Sequence, residues 1–347
     1  MRIDLKKINK KDIEQLLLDK EMNIAAAQGL FDYCFYTRDN HVEASNLIPF
    51  CAEYLELNLN NDEDKYFYES RIKPSIKSLK NEDYDSDYYR QNIHPREYKD
   101  KEYSLECLKF KPNQLFPYDD IEIDSSFKEV SRLGYFTKPF SYLAVLKKDV
   151  VWMSLDPNEI NTMRASIDKA KGITVAFGLG LGYFPIMAAK KKEVSKVIVV
   201  EKDQKIIDIF KRHILPLFEC KDKIEIIHDD AFNYVNKIKN ADFLFIDIWH
   251  NPEDGLPLYL RFFRQLKGKN VEVDYWLEKS LLAMYRRCLL TVIEESLMGY
   301  GDSYYQKSKN DYDKIINDLY FKTKNMTFSS IDEIKQLLQD NSLKELI

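Results

Sequence analysis

Short apolar runs alternate with longer segments of helical periodicity between residues 173 and 267. The apolar runs predict strands at residues 173–177, 196–201, 223–227 and 241–247. Helices are predicted to begin between them, near Tyr183, Gln204 and Ala231. Strands that alternate with helices predict a parallel sheet with right-handed crossovers, which binds its ligands at the carboxyl ends of the strands.

The chain before this region has a different pattern. Helical spacing of apolar residues predicts helices within residues 13–18, 24–36 and 42–57, and a fourth over residues 63–79 that Pro74 interrupts. Residues 81–104 are polar, acidic and rich in tyrosine, which predicts a linker or mobile loop. Residues 141–146 and 150–154 predict a hairpin joined by Lys147-Lys148-Asp149, which could lie over a ligand.

Helices flank the alternating region on both sides. Asp156 fits an N-cap, with Pro157 at the first helical position and Glu159 three residues on, so that capping accounts for these residues. Residues 271–273 predict a short strand, and residues 275–298, 311–321 and 331–338 predict helices. We therefore divide the chain into a mostly helical domain (1–125), a hairpin with a connecting helix (126–172), a ligand-binding core (173–270) and a helical C-terminal segment (271–347).

Three of the ten glycines fall in Gly178-Leu179-Gly180-Leu181-Gly182, between a predicted strand and a predicted helix. Glycine permits positive φ angles and lets a ligand approach bare backbone. The free N–H groups of the following helix favour a ligand carboxylate or phosphate. Glu201 ends the next strand nineteen residues after Gly182 and can accept both hydrogen bonds of a ribose diol. This pattern is typical of the first half of a nucleoside-binding α/β unit.

The glycine spacing narrows the choice of nucleoside ligand. A dinucleotide fingerprint has Gly or Ala where this chain has Tyr183, and no Gly-Lys-Ser/Thr of a P-loop follows. A glycine-rich turn without a ligand is the alternative at this point.

Four segments in order resemble the motifs of class I S-adenosylmethionine-dependent methyltransferases, and most of all those of spermidine synthase and its relatives. They are the glycine loop, Val200-Glu201-Lys202-Asp203, residues 224–232 and residues 243–247. The resemblance implies a Rossmann-like, doubly wound and mostly parallel α/β sheet. The N-terminal helices and hairpin and the helical C-terminal segment would be additions to this sheet.

The resemblance also implies contacts with S-adenosylmethionine. Gly178 and Gly180 would approach the methionine part and the ribose, and Glu201 would hold the ribose hydroxyls. Asp230 would accept from the adenine amino group, while Asp247 would face the methionine end and the reacting centre. The remaining expected contacts are Leu179, Gly182, Tyr183, Lys202, Ala231 and Phe232, the last two beside the adenine ring. Carboxylates near the sulfonium and the ammonium would offset the cost of desolvating those cations.

Two of these residues have structural alternatives. Asp230 could cap a helix that begins at Ala231. Glu201 could face Lys202 or Lys205 at the surface. Asp247 is the hardest to explain structurally, because a carboxylate at the end of an apolar strand needs partners.

The chain departs from the family patterns near the reacting end. Ala176 stands where most methyltransferases have an acid, and Leu181 stands where spermidine synthases often have Asp. The segment Asp247-Ile248-Trp249-His250-Asn251-Pro252 is one residue longer than their Asp-x-x-Asp-Pro and has Asn for the second Asp. The carboxylate that would deprotonate an amine is not obviously present there, which disfavours aminopropyl transfer.

We therefore predict a methyltransferase that uses S-adenosylmethionine, releases S-adenosylhomocysteine and acts on a small molecule. Asp247 and His250 are the candidate catalytic residues, with His250 as the base; a half-buried loop histidine is the structural alternative. Two other functions stay open. One is a spermidine-synthase-like aminopropyltransferase, and the other is a non-catalytic nucleoside-binding or scaffold protein.

Composition adds limits on partners and location. The chain is 45% apolar and 31% charged, as in soluble globular proteins, and its net charge of −5 disfavours nucleic acids. Five scattered cysteines favour a cytoplasmic protein with reduced thiols. We expect no metal site, because Asp83, Asp85 and Asp87 lack a glycine-containing calcium loop. No apolar run predicts a signal peptide or a membrane span. The N-terminal helices could mediate a homo-oligomer.

Overall fold

The computed structural model describes residues 1–347. Its centre is a sheet of five strands: β1 (Gly172–Phe177), β2 (Val194–Glu201), β3 (Ile224–His228), β4 (Phe243–Ile246) and β5 (Glu272–Tyr275). They lie in the order β3-β2-β1-β4-β5, and every neighbouring pair is parallel. The strand order reverses between β1 and β4, where such sheets open a crevice at the carboxyl ends of the strands. The predicted parallel α/β sheet is confirmed.

Six helices accompany this sheet: α1 (Pro157–Lys169), α2 (Tyr183–Lys190), α3 (Gln204–Ile209), α4 (Ala231–Tyr234), α5 (Pro252–Leu266) and α6 (Glu278–Leu297). β4 is buried throughout, which is why its sequence is a continuous apolar run. β5 extends two residues beyond the predicted strand 271–273, and its last residue, Tyr275, is the only buried one. α6 begins later than the predicted helix 275–298, because β5 takes up residue 275 and Leu277 adopts a left-handed conformation.

The segments predicted as the first two helices form one helix, Lys10–Asp39. The expected gap falls mostly on polar residues, two of which are buried with partners on other elements. The ammonium of Lys20 lies 2.6 Å from a carboxylate oxygen of Glu294, and the Asn23 amide donates to the Phe127 carbonyl oxygen at 2.8 Å. Tertiary pairing therefore extends the helix through a polar stretch. The third helix is shorter than predicted, with a 3-10 turn at Ala44–Asn46 followed by Leu47–Tyr54.

The fourth predicted helix, over residues 63–79, is partly wrong. Helical geometry covers Asp62–Phe67, a wider turn at Tyr68–Ile72 and a 3-10 turn at Lys73–Ser75. Pro74 cannot continue helical hydrogen bonding, and the strand Ile76–Leu79 follows. This strand pairs in parallel with Leu133–Phe136, which also pairs with Phe116–Pro117.

Residues 81–104 are folded rather than a linker or mobile loop. They comprise the helices Glu82–Asp85 and Tyr88–Asn92, the strand Tyr98–Lys99 and the start of the strand Tyr103–Phe110. Tyr84, Tyr89 and Tyr103 are buried in the apolar core. These three tyrosines supply core, while the polar residues between them are exposed or half-buried.

A second sheet, of four strands, comes before the parallel sheet in the chain. Its strands lie in the order Val150–Leu155, Phe140–Lys147, Tyr103–Phe110 and Tyr98–Lys99. All its pairs are antiparallel. Its hairpin turns at the predicted residues, where Lys148 and Asp149 have φ angles of 52° and 62°. Two consecutive positive φ angles match the right-handed twist of the flanking strands. A small ribbon pairs Glu122–Ile123 with Glu129–Val130.

The C-terminal segment contains the helices Asp311–Thr323, Ile331–Leu337 and Asp340–Leu346. Between the first two, Thr327–Phe328 pairs with Arg2–Ile3, which joins the two ends of the chain. One apolar core contains Ile13, Phe140, Phe177 and Leu289, a residue from each of the four predicted domains. The domain boundaries therefore stay predictions. None of the helices is both long enough and apolar enough to cross a bilayer.

Candidate functional site

A cavity of about 640 Å³ opens at the carboxyl ends of β1, β2 and β4. Its volume is in the range of small-molecule sites. The residues that the sequence assigns to a site all line it, except Gly182: Gly178, Leu179, Gly180, Tyr183, Glu201, Lys202, Asp230, Ala231, Phe232, Asp247 and His250. The hairpin before α1 supplies a further wall through Lys147 and Trp152. The residues meet in one place, and their roles toward a ligand stay predictions.

The three glycines between β1 and α2 have positive φ angles for different reasons. A Cβ at Gly178 would overlap the carbonyl oxygen of Asp247, and a Cβ at Gly182 would overlap the ring of Phe210. A Cβ at Gly180 would meet no atom within 4 Å. Packing therefore explains Gly178 and Gly182, and Gly182, which the sequence assigns to the ligand, does not line the cavity; its contact with a ligand stays a prediction. Gly180 leaves bare backbone beside the cavity.

Glu201 joins the ends of β1 and β2. Its Oε2 accepts from the Leu179 amide at 3.1 Å, and its Oε1 accepts from the Asp203 amide at 2.8 Å. Lys205, one of the two lysines that could have paired with it, instead lies 3.2 Å from Asp100. A carboxylate oxygen has two lone pairs, so Glu201 is fixed in place and can still accept hydrogen bonds from a ligand.

Asp230 caps α4, as the structural alternative proposed. Its Oδ1 accepts from the amides of Phe232 and Asn233 at 2.9 and 3.2 Å. The cap uses one oxygen, and Asp230 also lines the cavity. Capping and a contact with a ligand are therefore compatible.

Tyr183 lines the cavity, but its hydroxyl is already engaged. It donates to Asp87 Oδ2 at 2.7 Å, and Asp87 Oδ1 accepts from the Arg90 amide at 3.0 Å as the cap of its helix. Tyr183 therefore connects α2 to the tyrosine-rich segment 81–104. The ring, and not the hydroxyl, is available to a ligand.

Two carboxylates of the cavity wall, Asp247 and Glu159, have no cationic partner, and Asp156 lies close enough to Glu159 to act on its charge. Burial, and then the charge of Glu201, raise the pKa of Asp247. Burial, and then the charges of Asp247 and Asp156, raise the pKa of Glu159 well above its usual range. Burial raises the pKa of Asp156 to about 6. Hydrogen bonds from Ser154 and from two backbone amides lower this pKa, but by less than burial raises it. The site therefore favours protons or an external cation.

Glu159 is the site residue that sequence reasoning missed. The sequence assigns it to capping, because it follows Asp156 by three residues. In the structure Asp156 alone caps α1, accepting from the amides of Asn158 and Glu159 at 2.9 and 3.4 Å. The Glu159 carboxylate takes no part in the cap and lines the cavity. The spacing that suggested a cap also places this carboxylate in the first turn of α1, beside the ends of the strands.

His250 lies on the loop between β4 and α5. Its Nδ1 is 3.0 Å from Asp254 Oδ2, and its ring packs edge-on against Trp152 with 4.5 Å between ring centroids. When Nδ1 carries the proton and donates to Asp254, Nε2 can accept a proton. His250 is exposed and lines the cavity. This arrangement can serve a base, and the catalytic role of His250 stays a prediction.

Aromatic rings form much of the remaining wall. Trp276 donates its indole N–H to Thr162 Oγ1 at 2.9 Å. Trp249 is 5% exposed, and its Nε1 has no hydrogen-bond partner. The ammonium of Lys147 lies 5.0 Å from the Trp152 ring centroid. No three His, Cys, Asp or Glu side chains are placed to hold a metal ion.

Part of the chain is similar to solved structures of known proteins. No protein-family model matches, and no curated protein matches in sequence. The chain is similar to precorrin-8W decarboxylase from Methanobacterium thermoautotrophicum, at 15% identity over 34% of this chain and a TM-score of 0.26. It is similar to spermidine synthase from Thermotoga maritima, and to a spermidine synthase bound to the transition-state analogue AdoDATO, each at 16% identity over 43% of this chain and a TM-score of 0.30. It spans 61% of the decarboxylase and 58% of each synthase.

Proposed function

We propose that the chain binds S-adenosylmethionine in this cavity and transfers the methyl group to a small molecule. The observation that carries the proposal is the meeting of Gly180, Glu201 and Asp247 at the ends of neighbouring strands β1, β2 and β4. Bare backbone, a carboxylate fixed for a diol and an unpaired carboxylate at the switch point suit a nucleoside that carries a cation.

The side chains fit this ligand in charge as well as size. S-adenosylmethionine carries a sulfonium and an ammonium, and desolvating a cation costs less beside carboxylates. Burial and the charge of Glu201 raise the pKa of Asp247, and no cation of the chain offsets them. Glu201 would hold the ribose hydroxyls, and Asp230 would accept from the adenine amino group beside Phe232.

The bound ligand supplies an electrophilic methyl group, so the chain has mainly to position the acceptor and remove its proton. His250 is the first candidate for the proton, because Asp254 orients its ring and leaves one nitrogen free. The hairpin residue Trp152 would cover the reacting centre and limit the access of water.

Aminopropyl transfer from decarboxylated S-adenosylmethionine is a second candidate, favoured by one observation. The loop after β4 lacks a second carboxylate, but Glu159 brings one into the same cavity from α1. Such a carboxylate could deprotonate an amine.

Calorimetric titration with S-adenosylmethionine, S-adenosylhomocysteine and the decarboxylated nucleoside tests these functions. We expect the first two to bind more tightly than the third. Preference for the decarboxylated compound would favour aminopropyl transfer. Tight binding without turnover in any cell extract would favour a non-catalytic nucleoside-binding protein, and failure of all three to bind would refute the proposal.

A further inference from the structure

Glu159 and Asp247 differ from the other shielded carboxylates of the chain. Elsewhere such groups have partners: Glu129 pairs with Arg287, and Asp274 lies 2.9 Å from the ammonium of Lys169. Burial and neighbouring carboxylates raise the pKa values of Glu159 and Asp247. No hydrogen bond to either carboxylate and no cation acts in the opposite direction. An uncompensated charge of this kind is costly, so a proton or an external cation must accompany it.

The lysines of the cavity wall do not meet this need. Lys147 holds its ammonium over the rings of Trp152 and Tyr103, at 5.0 and 5.1 Å from their centroids. Lys202, on the loop after β2, forms no ion pair with either carboxylate. The chain itself therefore supplies no cation for these two carboxylates.

The position of Glu159 and Asp247 is a second, geometric observation. Both residues are half-buried and line the same cavity, so a ligand can reach their carboxylates.

The two carboxylates reach the cavity from different elements. Asp247 follows β4 and would face the methionine end of the methyl donor. Glu159 lies in the first turn of α1, ahead of the glycine loop, and none of the donor contacts proposed above uses it. Glu159 is therefore free for the second reactant.

We propose that the methyl acceptor is an amine, which binds as its ammonium between Glu159 and Asp247 and loses a proton to Glu159. This inference rests on the proposed function and names its substrate class. Asp247 stabilises the positive charges, and Glu159 is the proton acceptor nearest to the amine. His250 would then be left for positioning the acceptor or passing the proton to solvent.

The step balances with these groups alone. One N–H bond breaks, and the proton passes to a Glu159 oxygen, which leaves a lone pair on the amine nitrogen. That lone pair forms the bond to the methyl carbon, while the carbon–sulfur bond breaks and its electron pair goes to sulfur. The products are the methylated ammonium and S-adenosylhomocysteine. Burial and the neighbouring carboxylates raise the pKa of Glu159, which brings its affinity for a proton nearer to that of an amine.

Binding of amines to the complex with S-adenosylhomocysteine tests the inference without requiring turnover. Phenethylamine and putrescine are titrated by calorimetry into the wild-type complex and into Glu159→Gln. We expect at least one amine to bind wild type, and Glu159→Gln to bind it at least about tenfold more weakly, because the amide keeps an acceptor oxygen but loses the negative charge that strengthens a hydrogen bond from the ammonium. Preference for phenethylamine indicates an arylalkylamine, and preference for putrescine indicates a diamine; either supports the inference.

Two variants separate recognition from folding. Glu225→Gln removes an exposed β3 carboxylate that pairs with Lys196, and it should leave amine binding unchanged. Glu159→Asp keeps the charge on a shorter side chain and should retain part of the affinity if Glu159→Gln fails to fold. The inference fails if S-adenosylhomocysteine binds normally and neither amine does, or if Glu159→Gln binds amines as wild type does. Failure of S-adenosylhomocysteine itself to bind would instead overturn the proposed function, and this inference with it.

Discussion

The Tyr89 hydroxyl donates a hydrogen bond of 2.6 Å to the carbonyl oxygen of Leu181, a residue of the glycine loop. Tyr89 is 1% exposed, so water does not compete for this bond. The residue four positions beyond Leu181 is Pro185, which has no N–H to offer. The tyrosine-rich segment therefore satisfies a loop carbonyl that the following helix leaves free.

Replacing Tyr89 with Phe should destabilise the fold by about 1–3 kcal/mol, because it leaves the Leu181 carbonyl oxygen buried without a donor. Urea unfolding followed by circular dichroism measures this loss. The glycine loop should also become less ordered, so the affinity for S-adenosylhomocysteine should fall.

Tyr88→Phe is the matched control, since Tyr88 lies in the same helix and its ring, not its hydroxyl, contacts Lys190. Equal stability of the two variants would show that the bond to Leu181 contributes nothing.

Two similar substitutions in the glycine loop should differ in whether they affect mainly stability or mainly ligand binding. Gly182→Ala should cost on the order of 2–4 kcal/mol of stability, because its Cβ overlaps the buried Phe210 ring and its φ of 78° strains an L-residue. Gly180→Ala, at a φ of 53° with open space, should cost about 1–2 kcal/mol but weaken nucleoside binding by tenfold or more.

Thermal melts and calorimetric titration with S-adenosylhomocysteine measure both effects of the glycine substitutions. A Gly180→Ala protein that binds with wild-type affinity would mean that no ligand approaches this part of the loop.

The central sheet could be predicted from sequence because strands covered on both faces must be apolar throughout. β4 is such a strand, and its ends differ little from the prediction. Helix Lys10–Asp39 was predicted as two helices because Lys20 and Asn23 are buried with distant partners. Those partners come from residues that only the fold brings near.

The site was predictable where residue position follows from topology. Parallel strands bring Gly180, Glu201 and Asp247 to the carboxyl-end edge of the sheet, and this does not depend on the conformation of the loops. Glu159 was missed because a helix-capping pattern and a cavity carboxylate have the same spacing in sequence. Only the position of α1 against the sheet distinguishes these two roles.

Glu201→Ala should weaken binding of S-adenosylhomocysteine by about tenfold to a hundredfold, since hydrogen bonds to charged groups contribute about 1.5–3 kcal/mol. The variant also frees the amides of Leu179 and Asp203, so some loss of stability is expected. Glu225→Ala, at an exposed position of β3, is the control and should leave affinity unchanged. Unchanged affinity of Glu201→Ala would show that the ribose lies elsewhere.

Asp156→Asn should flatten the pH dependence of stability between about pH 4 and pH 6. Burial raises the pKa of Asp156 from its ordinary 3.8 to about 6, so its favourable contribution is complete below the lower value and is lost as the pH rises through the higher one. Asn caps a helix about as well as Asp, so the variant keeps α1 while removing this titration. Glu159 and Asp247 also have raised pKa values and titrate in both proteins. Because the charge of Asp156 is one cause of the raised pKa of Glu159, its removal should reduce the pH dependence further in the same direction. Urea unfolding in half-unit steps should show wild type losing stability relative to the variant as the pH rises, and parallel curves would mean that Asp156 is solvated like a surface carboxylate.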